Sequence, residues 1–143
     1  MKKIKKVLVV VEDSNDVLRE GIAIARDERC YVTVLKVLPE YDGNINLVGI
    51  RNIEDVLSSN SQKEFNNINE VADRENYFVK TRIEYGKIYE KILETIDEEK
   101  CDLVVLGVKK TKKFMGWFDN LLKGNPLDKI VSNAQCPVLF VRV

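Results

Sequence analysis

Val7 to Val11 (VLVVV) and Leu103 to Leu106 (LVVL) are aliphatic runs without a polar interruption. A strand with one wet face alternates polar and apolar residues, whereas an unbroken run suits a strand covered on both faces, as in a parallel sheet between helices. Parallel neighbours need crossover connections, so helical segments are expected between such runs. That requirement organises the rest of the chain.

After Val11, Glu12-Asp13-Ser14 supplies a turn and helix cap, and Val17, Leu18, Gly21, Ile22 and Ala25 recur at helical spacing to about Asp27. Tyr31 to Leu38 (YVTVLKVL) is rich in β-branched residues and stops at Pro39. The stretch 40–50 holds two glycines and two asparagines and reads as a loop. Ile53, Val56, Leu57, Phe65, Ile68, Val71 and Ala72 mark a long polar helix, with a break expected near Ser58-Ser59-Asn60-Ser61. Tyr77 to Tyr85 alternates in part, as an edge or half-covered strand does, and Gly86 ends it. Ile88, Ile92, Leu93 and Ile96 form the stripe of a third helix running to about Glu99. Leu103 to Leu106 ends at Gly107, a basic loop follows, Leu121 to Asn133 reads as the last helix, and Pro137 to Val143 as the last strand.

The order β-α-β-α-β-α-β-α-β predicts one α/β domain over residues 1–143: an open, mostly parallel five-stranded sheet with helices on both faces. The two most apolar strands belong together at the centre. The chain therefore winds outward from the first strand and returns to start again beside it, giving strand order 3-2-1-4-5. Ligands of such sheets bind where the order reverses, beyond the strands' carboxyl ends. That places Val11, Glu12, Asp13 and Ser14 at one side of a binding crevice, and Gly107 with the residues after it at the other.

The composition narrows the chemistry. The 143 residues carry 23 Lys and Arg against 23 Asp and Glu, so no overall positive field holds a nucleic acid or an anionic membrane. There is no histidine, which excludes the commonest general base, the Ser-His triads and most zinc sites. Cys30, Cys101 and Cys136 are odd in number, widely spaced and flanked by apolar residues; they read as reduced core residues. The basic start Met1-Lys2-Lys3-Ile4-Lys5-Lys6 precedes an apolar run that stops at Glu12, too short to span a membrane and without a small-residue cleavage site. A cytoplasmic protein is expected, without membrane insertion or a nucleic-acid partner.

At the two strand ends stand Val11-Glu12-Asp13-Ser14 and Gly107-Val108-Lys109-Lys110-Thr111-Lys112-Lys113, with Gly124-Asn125 before the last helix and Asn133-Ala134-Gln135-Cys136-Pro137-Val138-Leu139 near the end. This pattern resembles the universal stress protein (UspA-like) family over the whole chain in element order, the tail from Leu127 to Val141 being the most specific local match. The resemblance implies an adenine nucleotide alpha hydrolase-like, Rossmann-like fold. In nucleotide-binding members, glycines let backbone amides approach the phosphates, and a Ser or Thr with the helix start holds the anion. Carried over by position, the resemblance implies ATP or AMP, with or without Mg2+. Gly107 stands at the first glycine, Gly124 and Asn125 at the Gly-Ser pair, Glu12 or Asp13 at the adenosine-contacting acid, and Val37 beside the adenine.

The chain departs from the family pattern in four places. Lys110 replaces the second glycine, Asn125 replaces the hydroxyl residue, Glu12 stands where Asp is usual, and Gly107 to Gly124 is four residues longer than the family's spacing. A Cβ at the second position obstructs close approach to a phosphate. Lys109, Lys110, Lys112 and Lys113 offer a different anion mode in the same loop. As ordinary structure, these lysines are a solvated charge run, and Asn125 with Pro126 is a plain helix start.

Two further features bear on partners. Met115, Gly116, Trp117 and Phe118 form an apolar cluster that either packs as a lid over the sheet edge or meets a protein partner. Pro137 to Val143 is expected at a sheet edge, where pairing with a second copy gives a homodimer, as the resemblance also implies. Three functions stand side by side: a regulatory nucleotide-binding module, a nucleotide-free homodimeric interaction module, and a slow ATP hydrolase using Glu12, Asp13 and a magnesium ion. The last lacks a GxxxxGK[ST] loop.

Overall fold

A computed structural model describes residues 3–39, 53–108 and 126–143. Their elements run β1 (Lys6–Val11), α1 (Asp16–Glu28), β2 (Tyr31–Leu38), α2 (Ile53–Arg74), β3 (Val79–Tyr85), α3 (Ile88–Glu99), β4 (Leu103–Val108), α4 (Pro126–Asn133) and β5 (Val138–Arg142). The five strands form one sheet in the order β3-β2-β1-β4-β5, as the apolar runs predict. All four pairings are parallel.

The unbroken runs lie where two-sided burial demands. Val7 to Val11 and Leu103 to Leu106 are buried, and their alternate residues feed two separate cores. On one face Val7, Val9, Val11, Val32, Val34 and Val105 pack with the apolar stripes of α1 and α2. On the other, Leu8, Val10, Leu35, Val104 and Leu106 meet Ile92 and Ile96 of α3 and Ile130 of α4. The half-alternating strand, β3, is indeed an edge, buried fully only at Val79.

Two details differ from the expectation, and the expected start of the last helix at Leu121 lies outside the described residues. The helix over Ile53–Arg74 is continuous through the Ser58 to Ser61 stretch. Serine and asparagine compete with helical backbone bonds only weakly when a tertiary contact holds them, and here the Ser61 hydroxyl donates to the Tyr85 hydroxyl at 2.9 Å. Strand β4 continues through Gly107 to Val108, because Gly107 and Val108 still pair with Val141 and Arg142 of β5. Described residues of the last helix begin at Pro126, a first helical position that suits proline.

Candidate functional site

The sheet order reverses between β1 and β4. β1 pairs β2 on one side and β4 on the other, so the crossovers leave this pair in opposite directions. The last β1–β4 pair is Val10 with Leu106. Continued one residue further, the same register brings Val11 level with Gly107 at the carboxyl end of the pair. Val11 is 4 % exposed and belongs to the core floor, while Glu12 and Asp13 are exposed and Ser14 is partly buried.

Local chemistry shapes the turn after β1. The Ser14 hydroxyl oxygen accepts the Asp16 backbone N–H at 3.1 Å, and the Asn15 carbonyl accepts the amides of Leu18 and Arg19 at 3.1 and 3.2 Å. Ser14 therefore starts α1 by satisfying an amide that the helix itself leaves open. Val37, one step from the end of β2, is partly buried and packs on the α3 side of the sheet. Val11 lies on the α1 side, so the two valines approach the crevice from opposite faces.

Gly107 has a packing reason for being small. A Cβ built there would lie 3.2 Å from a Val143 methyl carbon and 3.3 Å from the Val17 Cβ. The backbone of β4 thus passes closely under both the start of α1 and the end of the chain, where the Val143 amide donates to the Val108 carbonyl at 2.9 Å. Lys109, Lys110, Gly124 and Asn125 lie outside the described residues, as do Trp117 and the apolar cluster around it.

Sequence reasoning passed over Lys36. It pairs in register with Val11, and its ammonium donates a hydrogen bond to the Glu12 carbonyl. The available signal was a single lysine inside the otherwise aliphatic end of YVTVLKVL.

Elsewhere, a cavity of about 470 Å³ opens at the opposite, amino end of the strands, lined among others by Ile4, Ile96, Cys101, Asp102, Cys136 and Pro137. The three cysteines are free, with Cys30 and Cys101 buried and Cys136 partly so. Burial pushes all three thiols up, Cys101 to about 12 with help from neighbouring Cys136. They are poor nucleophiles in this state. Among the described residues there is no group of three or more His, Cys, Asp or Glu placed to hold a metal ion, and no helix long and apolar enough to cross a membrane.

Residues 3–142 match the model of the universal stress protein family. The chain belongs to that family. The universal stress protein MJ0531 of Methanocaldococcus jannaschii is 26% identical over 91 residues, 63% of this chain and 51% of that protein. The present chain thus spans about half the length of that curated relative. Among solved structures, universal stress protein UspA from Lactobacillus plantarum superposes with a TM-score of 0.73 at 20% identity, covering 99% of this chain and all of that one. A universal stress protein in complex with cAMP gives 0.64 at 17% identity, covering 96% of this chain and 97% of its own. The universal stress protein from Archaeoglobus fulgidus in complex with dAMP gives 0.62 at 18% identity, covering 98% of both. These likenesses show the universal stress protein fold, and two of those structures hold adenine nucleotides.

Proposed function

We propose that this universal stress protein is a cytoplasmic regulatory module that binds an adenine nucleotide, ATP or AMP, at the carboxyl ends of β1 and β4. The observation that carries this reading is the juxtaposition of Val11 and Gly107 at the reversal of strand order, with Glu12, Asp13 and Ser14 in the adjoining turn. Open parallel sheets bind ligands at that place. Relatives of the same fold, in complex with cAMP and dAMP, support the ligand class. In this reading Val37 lies beside the base, Asp13 or Glu12 meets the sugar, and Gly107, Gly124, Asn125, Lys109 and Lys110 surround the phosphates. Mg2+ accompanies a triphosphate if ATP is the ligand.

Calorimetric titration with AMP and with ATP, with and without Mg2+, tests it. Micromolar binding is expected, weakened when Lys109, Lys110, Lys112 and Lys113 are changed together to Ala. Absence of binding by the unaltered protein would remove the nucleotide reading.

A second reading rests on β5. This edge strand leaves Leu139 38% and Phe140 37% exposed, and Val131 on the neighbouring helix is 50% exposed. An apolar strand edge of this kind pairs readily with a second copy. We assign it to a homodimer contact. Sedimentation should give a dimer that Leu139→Lys converts to monomer; a monomeric unaltered protein overturns the assignment.

A further inference from the structure

Lys36 is a cation beside the candidate site. It is partly buried at the carboxyl end of β2, and its ammonium reaches over the end of β1 to the Glu12 carbonyl. The ion pairs among the described residues engage Arg19, Arg74, Lys80, Arg82, Lys91 and Lys100, and none engages Lys36. Contrast Arg82, whose guanidinium meets Glu84, Glu98 and Glu99 within 3.2 Å. An ammonium has three N–H donors, and the Glu12 carbonyl, a neutral partner, accepts one of them.

A cation whose partner is a neutral carbonyl gains from an arriving anion, because a charge-assisted hydrogen bond is about twice as strong as a neutral one. The geometry points to Lys36 as the residue that makes the crevice select anionic ligands: we infer that it contacts a phosphate of the bound nucleotide and sets the preference for nucleotide over nucleoside. The inference rests on the proposed nucleotide site and names its charge-reading residue. Its position matters, since Glu12 and Asp13 lie in the same turn and would otherwise repel a phosphate.

The test titrates adenosine, AMP and pyrophosphate against the unaltered protein, Lys36→Met and Lys36→Arg, with melting temperatures to confirm folding. Methionine keeps the apolar stem and removes the charge. The unaltered protein should bind AMP at least tenfold more tightly than adenosine and should bind pyrophosphate. Lys36→Met should bind adenosine as before, bind AMP no better than adenosine, and lose pyrophosphate; Lys36→Arg should retain the preference. Equal loss of adenosine and AMP in Lys36→Met would overturn the inference, showing that the ammonium acts only by holding the Glu12 turn. An undiminished AMP preference would overturn it too. Pyrophosphate binding that depends on Lys36, in a protein that takes neither adenosine nor AMP, would sustain the anion-reading role and remove the adenine reading. No binding of any of the three removes both.

Discussion

Gly21 of α1 lies so close to Val9 of β1 that a Cβ at position 21 would stand 2.5 Å from a Val9 methyl carbon. No such approach is tolerated, and Val9 is completely buried, so it has no room to yield. This contact sets the distance between the first helix and the central strand, and with it the turn that carries Glu12, Asp13 and Ser14. Alanine is the better helix former by about 1 kcal/mol, yet overpacking a filled core costs ~1–3 kcal/mol. Gly21→Ala is therefore expected to lower stability by up to about 2 kcal/mol. Urea unfolding reads it, and an unchanged or raised midpoint would mean that α1 shifts outward freely.

At the other end of the sheet, one Asp102 carboxylate oxygen accepts the backbone N–H groups of Lys5 and Lys6 at 2.9 and 3.0 Å. The Asp102 amide in turn donates to the Lys6 carbonyl at 2.8 Å. Asp102→Ala leaves two amides without their partner and should cost about 1–2 kcal/mol. Amide exchange at Lys5 and Lys6 should accelerate in the variant, with that at Val9 following only the global loss.

Acid should weaken the protein partly through Glu99. Its carboxylate accepts from Lys80 at 2.7 Å and from Arg82 at 3.2 Å. The hydrogen bond from Lys80 leads in holding the carboxyl below its ordinary value of 4.5, against the opposing push of burial. A carboxyl lowered by folding contributes stability above its unfolded value and loses that contribution as pH falls through the folded one. Chemical denaturation followed downward from pH 5 should show this loss, and Glu99→Gln should flatten the slope below pH 4.5. An identical acid limb in the variant would contradict the assignment.

Alkali acts through Cys101 in the opposite sense. Burial, then the nearby Cys136, raises its thiol from 9.0 to about 12. Between those values the unfolded chain releases the proton and the folded one keeps it, so stability falls as pH rises through the window. The full shift corresponds to at most ~4 kcal/mol, at roughly 1.4 kcal/mol per unit. Cys101→Ala should show a shallower decline between pH 9 and 12 than the unaltered protein. Equal slopes would show that other groups dominate the alkaline limb.

Much of the fold was legible because burial leaves a periodic trace. The stripe Val17, Leu18, Gly21, Ile22 and Ala25 is the buried face of α1 residue for residue, and YVTVLKVL coincides with β2 from end to end. Thr95 broke the pattern. It is completely buried in α3, where its hydroxyl donates to the Lys91 carbonyl at 2.6 Å and so carries no unsatisfied donor into the core. The continuity of α2 was hidden for a related reason: serines and asparagines look like a break until Ser61 is seen to meet Tyr85, 24 residues away.

The candidate site was legible only as a place. Unbroken apolar runs determine two-sided burial, two-sided burial determines a parallel sheet with crossovers, and the order of runs determines where the strand order reverses; each step follows from local composition and chain connectivity. What the neighbours of each residue are was decided by tertiary structure alone. Gly107 owes its smallness to Val17 and Val143, residues 90 and 36 positions away along the chain, and Lys36 gains its significance from a carbonyl in the turn that follows another strand. Such relationships depend on register and helix placement, which arise from the simultaneous packing of both faces of the sheet and leave no periodic mark in any one segment.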